Sequence, residues 1–318
     1  MTPNSFKKFN GKFKGQDILS IEQFSTKDLE KVFSVADKMK KVVTGHKPSK
    51  MLSGYVTGLI FYEPSTRTFS SFSSAAKRLG AATVEHQNPL QASSVAKGES
   101  LEDTMKILEA NTDAIVMRHP EPGSAARAAG VVEIPVINAG DGPNQHPTQT
   151  LLDLLTIKER LGRLNNLKVA FVGDPLHYRV FHGQFAALSG FKGNQFYGIS
   201  PKGLEMPKEY RNAYYHDVVI DMKKLNETLA ELKPDIVSIG RIPKEYIKGD
   251  AGKYKFVINS ETLKSIPKKS IIMHPLPRID EVSTDVDDDP RAVYFKYQVR
   301  NGLYIRMALL SLVLGKIK

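Results

Sequence analysis

Residues 55–68 read YVTGLIFYEPSTRT, and the strongest fold signal in the chain lies in this stretch. An apolar run from Tyr55 to Tyr62 ends in a polar cluster, and a helical pattern follows as far as Leu79 and Gly80. Short apolar runs bounded by turn residues indicate buried β-strands, and a strand that passes directly into a helix is typical of parallel α/β sheets. The stretch therefore predicts a strand, a polar turn and a helix.

The same succession of apolar run, polar cluster and helical pattern recurs along the chain. It predicts further strands over Ala81–Val84, Asp113–Met117, Val131–Asn138, Leu167–Gly173, Phe196–Ile199, Asp235–Ile239 and Ser270–Met273. A turn-rich stretch after Asn138 leads into a helical pattern over 147–162, where we place a bridging helix. The predicted fold class is α/β, with two doubly wound parallel-sheet domains, and the chain of 318 residues is long enough for both.

Two more helices are predicted near the ends of the chain. Ser25 and Asp28 have the spacing of a capping box, and apolar residues follow at helical spacing as far as Met39. The segment Leu303–Leu314 is apolar enough to be a packed helix rather than a tail.

Composition excludes several classes of protein. The chain has no cysteine, which excludes disulfides, thiolate nucleophiles, iron–sulfur clusters and cysteine-ligated zinc. Its longest nearly apolar run, Met307–Gly315, is about half of the roughly 20 residues that a membrane-spanning helix needs. We therefore expect no membrane association.

The charge of the chain is strongly positive. Forty-five basic and 34 acidic side chains give a net charge of +11, which favours anionic partners. Without an aromatic-rich basic motif this charge does not predict nucleic-acid binding, and we expect none. Residues 1–15 contain four lysines and no acid, which predicts a flexible basic arm. No signal peptide opens the chain, so we expect a cytoplasmic protein.

Polar residues follow the predicted strands of the first half, where parallel sheets bind ligands. The sequence Ser65–Thr68 offers three hydroxyls, a guanidinium and helix N-terminal amides to a phosphate. A plain helix cap with a solvated arginine is the alternative, but the strand-to-helix junction favours the phosphate site. Arg118 follows Met117, and His146 precedes the bridging helix, so both should share this edge with Arg67.

The second half carries two arginines in the same setting. Arg179 follows the run that ends at Gly173, and Arg241 follows Gly240. Two guanidiniums together with a phosphate site predict a site for two anionic substrates, of which one could be a dicarboxylate. A polar loop over 91–99 is suited to be a mobile lid that carries a cation.

Several other signals lead to no prediction of a cofactor or metal. Gly173 lacks the further glycines of a dinucleotide fingerprint, and no Walker lysine pattern occurs. Asp285–Asp289 lacks the glycine and the distal glutamate of an EF-hand and predicts a solvated loop. His177 and His182 are five residues apart, which does not place them on one helical face to bind zinc. We expect neither a cofactor nor a metal.

Four motifs in this order and spacing resemble the aspartate/ornithine carbamoyltransferase family, and its aspartate branch in particular. They are Ser65–Thr68, Arg118–Pro120, His146–Gln149 and His274–Pro277. The resemblance extends from about Gln16 to the end of the chain and includes Asn138–Gly142 and Asn301–Arg306.

The resemblance implies transfer of the carbamoyl group of carbamoyl phosphate to the α-amine of L-aspartate, the committed step of de novo pyrimidine biosynthesis. The implied phosphate ligands are Ser65, Thr66, Arg67 and Thr68. The groups implied around the carbonyl oxygen are Thr68, Arg118 and His146. The groups implied at the amide nitrogen are Gln149 and the backbone carbonyls of Pro275 and Leu276. No side chain is an obvious general base, which leaves the departing phosphate or a solvent path to accept the amine proton.

The resemblance also implies a composite active site. Ser93 and Lys97 match lid residues that a neighbouring subunit inserts, which implies a homotrimer with shared active sites. Arg179 and Arg241 match the pair that binds the carboxylates of aspartate, together with Lys97 and Leu276. Lys97 therefore joins Thr68, Arg118 and His146 among the expected catalytic groups. A regulatory chain or a larger assembly stays open at this point.

The domain boundaries expected from the pattern and the resemblance follow the same plan. They are a flexible arm over 1–15, a carbamoyl phosphate-binding domain over 16–146, the bridging helix over 147–162, an aspartate-binding domain over 163–298, and a C-terminal helix over 299–318 that returns to the first domain.

The chain departs from the family pattern after its second arginine. Pro243 stands where the family has a glutamine that contacts the amino acid, and Tyr246 replaces a cation, whereas Glu245 is kept. Because proline has neither that side chain nor an amide N–H, we expect weaker or altered recognition of aspartate. The alternatives are a carbamoyltransferase for another amine such as ornithine and a catalytically weakened paralogue that acts as a scaffold. The ornithine branch usually has cysteine at the position of Pro275, which favours aspartate.

Overall fold

The computed structural model describes residues 6–46, 48–89, 98–242 and 254–317. The chain divides into two compact units. The first unit contains Met1–Leu152 and Arg300–Lys318, and the second contains Asp153–Val299. Each unit has its own parallel sheet.

The helices of the described residues are α1 Thr26–Thr44, α2 Thr66–Arg78, α3 Leu101–Glu109, α4 Ser124–Ala129, α5 Pro147–Leu161, α6 Arg179–Leu188, α7 Leu225–Leu232, α8 Ser260–Ser265 and α9 Val299–Val313. The strands are β1 Val56–Phe61, β2 Ala82–Gln87, β3 Ala114–His119, β4 Val136–Asp141, β5 Lys168–Val172, β6 Gln195–Ser200, β7 Tyr215–Val219, β8 Ile236–Ile239 and β9 Ile271–Met273. Within the described part of the chain, no helix is long and apolar enough to cross a membrane.

The first unit is built on a four-stranded parallel sheet in the order β2-β1-β3-β4. Strands β1, β3 and β4 are almost entirely buried, as expected for a parallel sheet covered on both faces. Helices α3 and α4 pack against this sheet through an apolar cluster that includes Ile60, Met105, Met117 and Val136. Phe61 pairs with Arg118 in register, so the carboxyl ends of β1 and β3 lie side by side.

The N-terminal segment of the first unit is packed rather than free. Phe9 and Phe13 are each 3% exposed, and their rings stack with centroids 4.6 Å apart. The amide of Gly15 donates to the carbonyl of Val313 at the end of α9, at 2.8 Å. The expectation of a flexible arm over 1–15 is therefore wrong for residues 6–15, because the phenylalanines between the lysines bury apolar surface that outweighs the mobility of a basic segment.

The second unit has a five-stranded parallel sheet in the order β7-β6-β5-β8-β9. Strand β7 was not predicted from the sequence; among the described residues it is an edge strand that pairs with β6, and it is largely exposed. Its residues Tyr215, His216 and Asp217 do not form the apolar run by which the buried strands are found. Strand β4 begins five residues later than predicted, at Val136, because Pro135 precedes it and proline has no N–H for a ladder bond.

Helix α5 begins in the first unit and ends in the second, as the bridging helix was predicted to do. Gly162 follows it with a φ of +71°, a left-handed conformation that favours glycine and ends the helix. Helix α9 belongs to the first unit, where Arg306 donates to the Ser71 hydroxyl at 3.0 Å. These features agree with the predicted α/β class and with the return of the C-terminal helix.

Candidate active site

The N-terminus of α2 lies directly after β1 and forms the first part of the site. Ser65 is the N-cap residue, but its side chain makes no capping hydrogen bond, and no acidic residue occupies the first turn. Thr68 is 6% exposed, whereas Thr66 and Arg67 are exposed. The partial positive charge of the helix end is thus not neutralised by a side chain of its own first turn, which suits an anionic ligand.

Arg118 comes from the carboxyl end of β3, next to the start of that turn. Its side chain is 17% exposed, and its Nε lies 3.2 Å from the carboxylate of Glu63. Its Nη1 donates to the carbonyl of Ala139 at 3.4 Å. Burial lowers the pKa of the Arg118 guanidinium and Glu63 partly offsets this, but an arginine remains charged at neutral pH. The guanidinium of Arg118 is therefore a cation whose position at this edge is held by Glu63 and Ala139.

His146 is delivered by the turn that connects β4 to α5. Its ring is largely buried, with Nδ1 3.5 Å from the Thr148 hydroxyl, and its carbonyl accepts the amide protons of Gln149 and Thr150 at 3.0 and 3.2 Å. His146 thus caps the helix with its carbonyl, which fixes the main chain from which its ring projects. Gln149 lies on the first turn of the same helix and is half-buried.

A buried carboxylate that was not predicted from the sequence shapes this turn. Asp141 is 2% exposed and accepts four hydrogen bonds of 2.9 Å, from the amides of Gly123 and Gln145 and from the side chains of Asn138 and Asn144. The signal was present in the Asn-Ala-Gly-Asp-Gly stretch, because Asp and Asn favour turns that bond to nearby backbone amides. Asp141 therefore holds the turn that directly precedes His146.

In the second unit, two glycines stand at the carboxyl ends of β5 and β8. Gly173 has a φ of +126°, and a Cβ there would lie 1.9 Å from the carbonyl oxygen of Gly240. No other residue permits this close approach. Arg179, the first residue of α6, is half-buried, and Arg241 is exposed directly after Gly240.

The loop after β9 is held by a buried histidine. The amide of Leu276 donates to His274 Nδ1 at 2.8 Å, so the ring proton sits on Nε2, which donates to Glu281 at 2.7 Å. Burial opposes ionisation of Glu281, but the bonds from His274 and from backbone amides lower its pKa to about 2. Leu276 itself has a φ of +57°, a strained conformation for leucine that this arrangement stabilises.

A chain of buried polar side chains continues from this loop through the second unit. The amide of His274 donates to Gln298 at 3.0 Å, and Gln298 in turn donates to Asp153 at 2.7 Å. Asp153 also accepts from Gln184 at 2.7 Å, and Gln184 accepts from the Ser238 hydroxyl at 2.8 Å. Gln298 ends a short π-helical turn, Tyr294–Gln298, that precedes α9. This network links α5 to the loop and could not be read from sequence, because its members are far apart in the chain.

Comparison with known proteins identifies the family. A family model described as "Aspartate/ornithine carbamoyltransferase, carbamoyl-P binding domain" matches residues 16–159, and one described as "Aspartate/ornithine carbamoyltransferase, Asp/Orn binding domain" matches residues 165–313. The chain belongs to the aspartate/ornithine carbamoyltransferase family.

Relatives within the carbamoyltransferase family are similar to nearly the whole of this chain. The chain is 42% identical over 309 residues to the chloroplastic aspartate carbamoyltransferase of Arabidopsis thaliana, covering 95% of this chain and 79% of the relative. It is 43% identical over 305 residues to the aspartate carbamoyltransferase catalytic subunit of Methanocaldococcus jannaschii, covering 92% and 96%. The solved structure of aspartate transcarbamoylase from Trypanosoma cruzi with carbamoyl phosphate and aspartate has a TM-score of 0.87 at 35% identity, covering 95% and 96%.

Some residues expected to act in this carbamoyltransferase lie outside the described part of the chain. They are Ser93, Lys97, Pro243, Glu245 and Tyr246. The described residues contain no group of three or more side chains suited to hold a metal ion.

The histidines and the acidic loop that were considered as metal ligands make local contacts within the protein. His177 bonds to Asp174 at 3.0 Å, and His182 donates to the carbonyl of Pro175 at 2.8 Å. In the acidic loop over 285–289, the carboxylate of Asp289 pairs with Arg291 at 2.8 Å. Asp287 also pairs with Arg278, whereas Asp285 and Asp288 are exposed, so the loop is solvated only in part.

Proposed function

We propose that this chain is an aspartate carbamoyltransferase that makes N-carbamoyl-L-aspartate and phosphate from carbamoyl phosphate and L-aspartate. The observation that carries the proposal is the likeness, at 35% identity and over 95% of the chain, to an enzyme solved with those two substrates. Curated relatives at 42% and 43% identity carry the same activity in their names. We assign the reaction to pyrimidine biosynthesis.

Carbamoyl phosphate binds in the first unit. Its phosphate binds at the N-terminus of α2, where Ser65 is the N-cap residue but makes no capping hydrogen bond with its side chain. The other ligands are Thr66, Arg67 and Thr68 on the first turn, because helix N-terminal amides and hydroxyls bind phosphate oxygens well. The same groups stabilise the phosphate as it leaves.

The carbonyl oxygen faces Thr68, Arg118 and His146. Attack of the neutral amine forms the new C–N bond and a tetrahedral intermediate whose oxygen carries the negative charge. The C–O bond to phosphate then breaks, and the amine proton passes to the departing phosphate or to solvent. Donors that are fixed before the reaction stabilise such an oxyanion without reorganisation. The ion pair of Arg118 with Glu63 and the helix-capping carbonyl of His146 provide that fixed position.

The remaining assignments concern the amide nitrogen and aspartate. Gln149 and the carbonyls of Pro275 and Leu276 hold the amide nitrogen, and the bond from Leu276 to His274 supports the orientation of that loop. Arg179 and Arg241 bind the carboxylates of aspartate, together with Leu276.

The working enzyme is a homotrimer in which the partner subunit's Lys97 and the partner subunit's Ser93 complete each site. Its compartment is the cytoplasm in our proposal, although the relative from Arabidopsis thaliana is named as chloroplastic. Gel filtration with light scattering tests the trimer, and cell fractionation tests the compartment.

The test of function is an assay for carbamoylated product with aspartate and ornithine offered in separate reactions. We expect product from aspartate and a loss of about 10²–10³ in turnover for Arg118→Ala, because one oxyanion donor is removed. Arg127→Ala is the matched control, since Arg127 belongs to the same unit but is 44% exposed and pairs with Glu102 and Glu121.

Product from ornithine alone would assign the enzyme to the other branch of the family. A wild-type protein without product from either amine would favour the scaffold instead. Full activity in Arg118→Ala would contradict the assigned role of this arginine.

A further inference from the structure

Tyr178 occupies the position directly before α6, and its ring lies against Gly240. A Cβ on Gly240 would come within 2.7 Å of Tyr178 Cδ1 and 2.8 Å of Cε1, which no real side chain tolerates. The Tyr178 ring also meets the ring of Phe181 edge-on, with centroids 4.9 Å apart, and Phe181 Cζ lies 2.8 Å from the same Cβ position. The two rings together therefore fill the space that a side chain at position 240 would need.

The two residues in this contact are the immediate neighbours of the two arginines proposed to bind aspartate. Arg179 follows Tyr178 and Arg241 follows Gly240. The backbone of Gly240 is also approached from β5, since its carbonyl lies where a Cβ of Gly173 would be. Gly240 is thus enclosed by Gly173 and by the rings of Tyr178 and Phe181, and this packing sets the separation of the two arginine-bearing segments.

The hydroxyl of Tyr178 has no hydrogen-bond partner among the residues that the structure describes. By contrast, the hydroxyls of Tyr294 and Tyr197 donate to Asp287 and Gln195. The residue as a whole is partly exposed, although its phenol is in a buried setting.

The charges around the hydroxyl determine its chemistry. Burial raises the pKa of the Tyr178 phenol, Glu281 and Asp153 raise it further, and Arg241 and Arg179 act in the opposite direction. The phenol therefore stays protonated at neutral pH and is a hydrogen-bond donor beside two cations, a combination that suits a carboxylate.

We infer that Tyr178 is a specificity-determining residue for the amino-acid substrate. Its ring fixes the spacing of the Arg179 and Arg241 segments, and its hydroxyl donates a hydrogen bond to a carboxylate of the bound amino acid. This inference rests on the proposed function.

The experiment compares Tyr178→Phe with wild type and with Tyr215→Phe. Tyr215 is the matched control because it lies in the same unit, on β7, and its buried hydroxyl also lacks a partner among the described residues. Initial rates are measured with aspartate varied at saturating carbamoyl phosphate. They are then measured with carbamoyl phosphate varied at saturating aspartate. Asparagine replaces aspartate in a third series.

For Tyr178→Phe we expect KM for aspartate to rise about tenfold, the usual scale for a lost hydrogen bond to a charged group. We expect KM for carbamoyl phosphate to stay unchanged and the preference for aspartate over asparagine to fall. Tyr215→Phe should behave as wild type. Melting curves confirm that both variants are folded.

Wild-type kinetics in Tyr178→Phe, with carbamoyl aspartate formed by both proteins, would overturn this inference and leave the proposed function intact. An equal rise in KM for both substrates would also overturn it, since that result indicates a merely structural residue. A wild-type enzyme that makes no carbamoyl aspartate would overturn the proposed function and this inference together.

Discussion

Glu281 shows how one buried carboxylate can hold a main-chain turn in a strained conformation. It accepts hydrogen bonds from the His274 ring and from the amides of Ile279 and Asp280, the latter two at 3.1 Å. His274 then holds the amide of Leu276. A single ionised side chain thereby fixes a loop whose carbonyls we assign to the substrate.

We expect Glu281→Gln to change the acid stability of the protein. The pKa of Glu281 falls from 4.5 to about 2 in the folded state, so its charge stabilises the fold above about pH 4.5, and this contribution is lost as the pH falls toward 2. The difference corresponds to on the order of 3 kcal/mol. Urea denaturation should show a lower free energy of unfolding for the variant at pH 7 and a weaker pH dependence in acid.

Glu261→Gln is the control, because Glu261 is 67% exposed and its carboxylate pairs with the exposed Lys264. Its unfolding free energy should follow that of wild type at every pH. Superimposable acid profiles for Glu281→Gln and wild type would show that the buried pair does not contribute to acid stability.

Helices and strands differ in how far the sequence specifies them. Helix α1 was predicted from its capping box, and the Ser25 hydroxyl does accept the amide proton of Asp28 at 3.2 Å. Strand β1 was predicted because a fully buried strand is an apolar run, whereas β7 was missed because an edge strand need not be apolar. The pattern of apolar residues therefore predicts the central strands of a sheet. An edge strand depends on pairing with a neighbouring strand that is distant in sequence, which this pattern does not reveal.

The same distinction applies to the candidate site. Arg118 and His146 could be placed at one sheet edge because each follows a predicted strand, and parallel strands end together. Asp153 and Gln298 could not be paired, because 145 residues separate them and neither stands out in its own segment. Buried residues that position a site, such as Asp153 and Gln298, are thus harder to predict from sequence than the residues that face its ligand.

Helix α5 offers a test of these supports through Asp153→Asn. Asparagine would replace one carboxylate oxygen with an NH₂ group, which would face the side-chain NH₂ of Gln184 or Gln298. Gln298 cannot rotate its amide to present oxygen instead, because that oxygen accepts the backbone N–H of His274. We expect a loss of about 1–3 kcal/mol in unfolding free energy and a fall in kcat. Thermal unfolding and initial rates measure the two effects.

Asp288→Asn serves as the comparison, since Asp288 is an exposed carboxylate in the same unit. It should leave both stability and turnover unchanged. If Asp153→Asn behaved in the same way, the buried network would not be a support of the loop.

At the scale of the whole molecule, the first unit depends on both ends of the chain. Ile18 bonds to the edge of β4, its amide donating to Val136 and its carbonyl accepting from Asn138, both at 2.8 Å. The phenylalanine cluster precedes it, and α9 brings the last residues back to the same unit. The N-terminal segment is therefore part of the core of this unit.

Phe13→Ala tests that role. Phe13 is 3% exposed and stacks on Phe9, and loss of a buried phenylalanine typically costs about 3–5 kcal/mol. We expect a destabilisation of this size in urea denaturation, with the exposed Lys12→Ala as control. A change below about 0.5 kcal/mol, the usual scale of surface substitutions, would mean that the segment is dispensable.

The order of residues within the two units has a consequence for synthesis on the ribosome. Asp153–Val299 is one continuous stretch, whereas the other unit needs Arg300–Lys318 as well as the first half of the chain. Translation finishes the later unit before the earlier one has all of its residues. The N-terminal half must therefore wait, with part of its apolar surface uncovered, until the last helix leaves the exit tunnel.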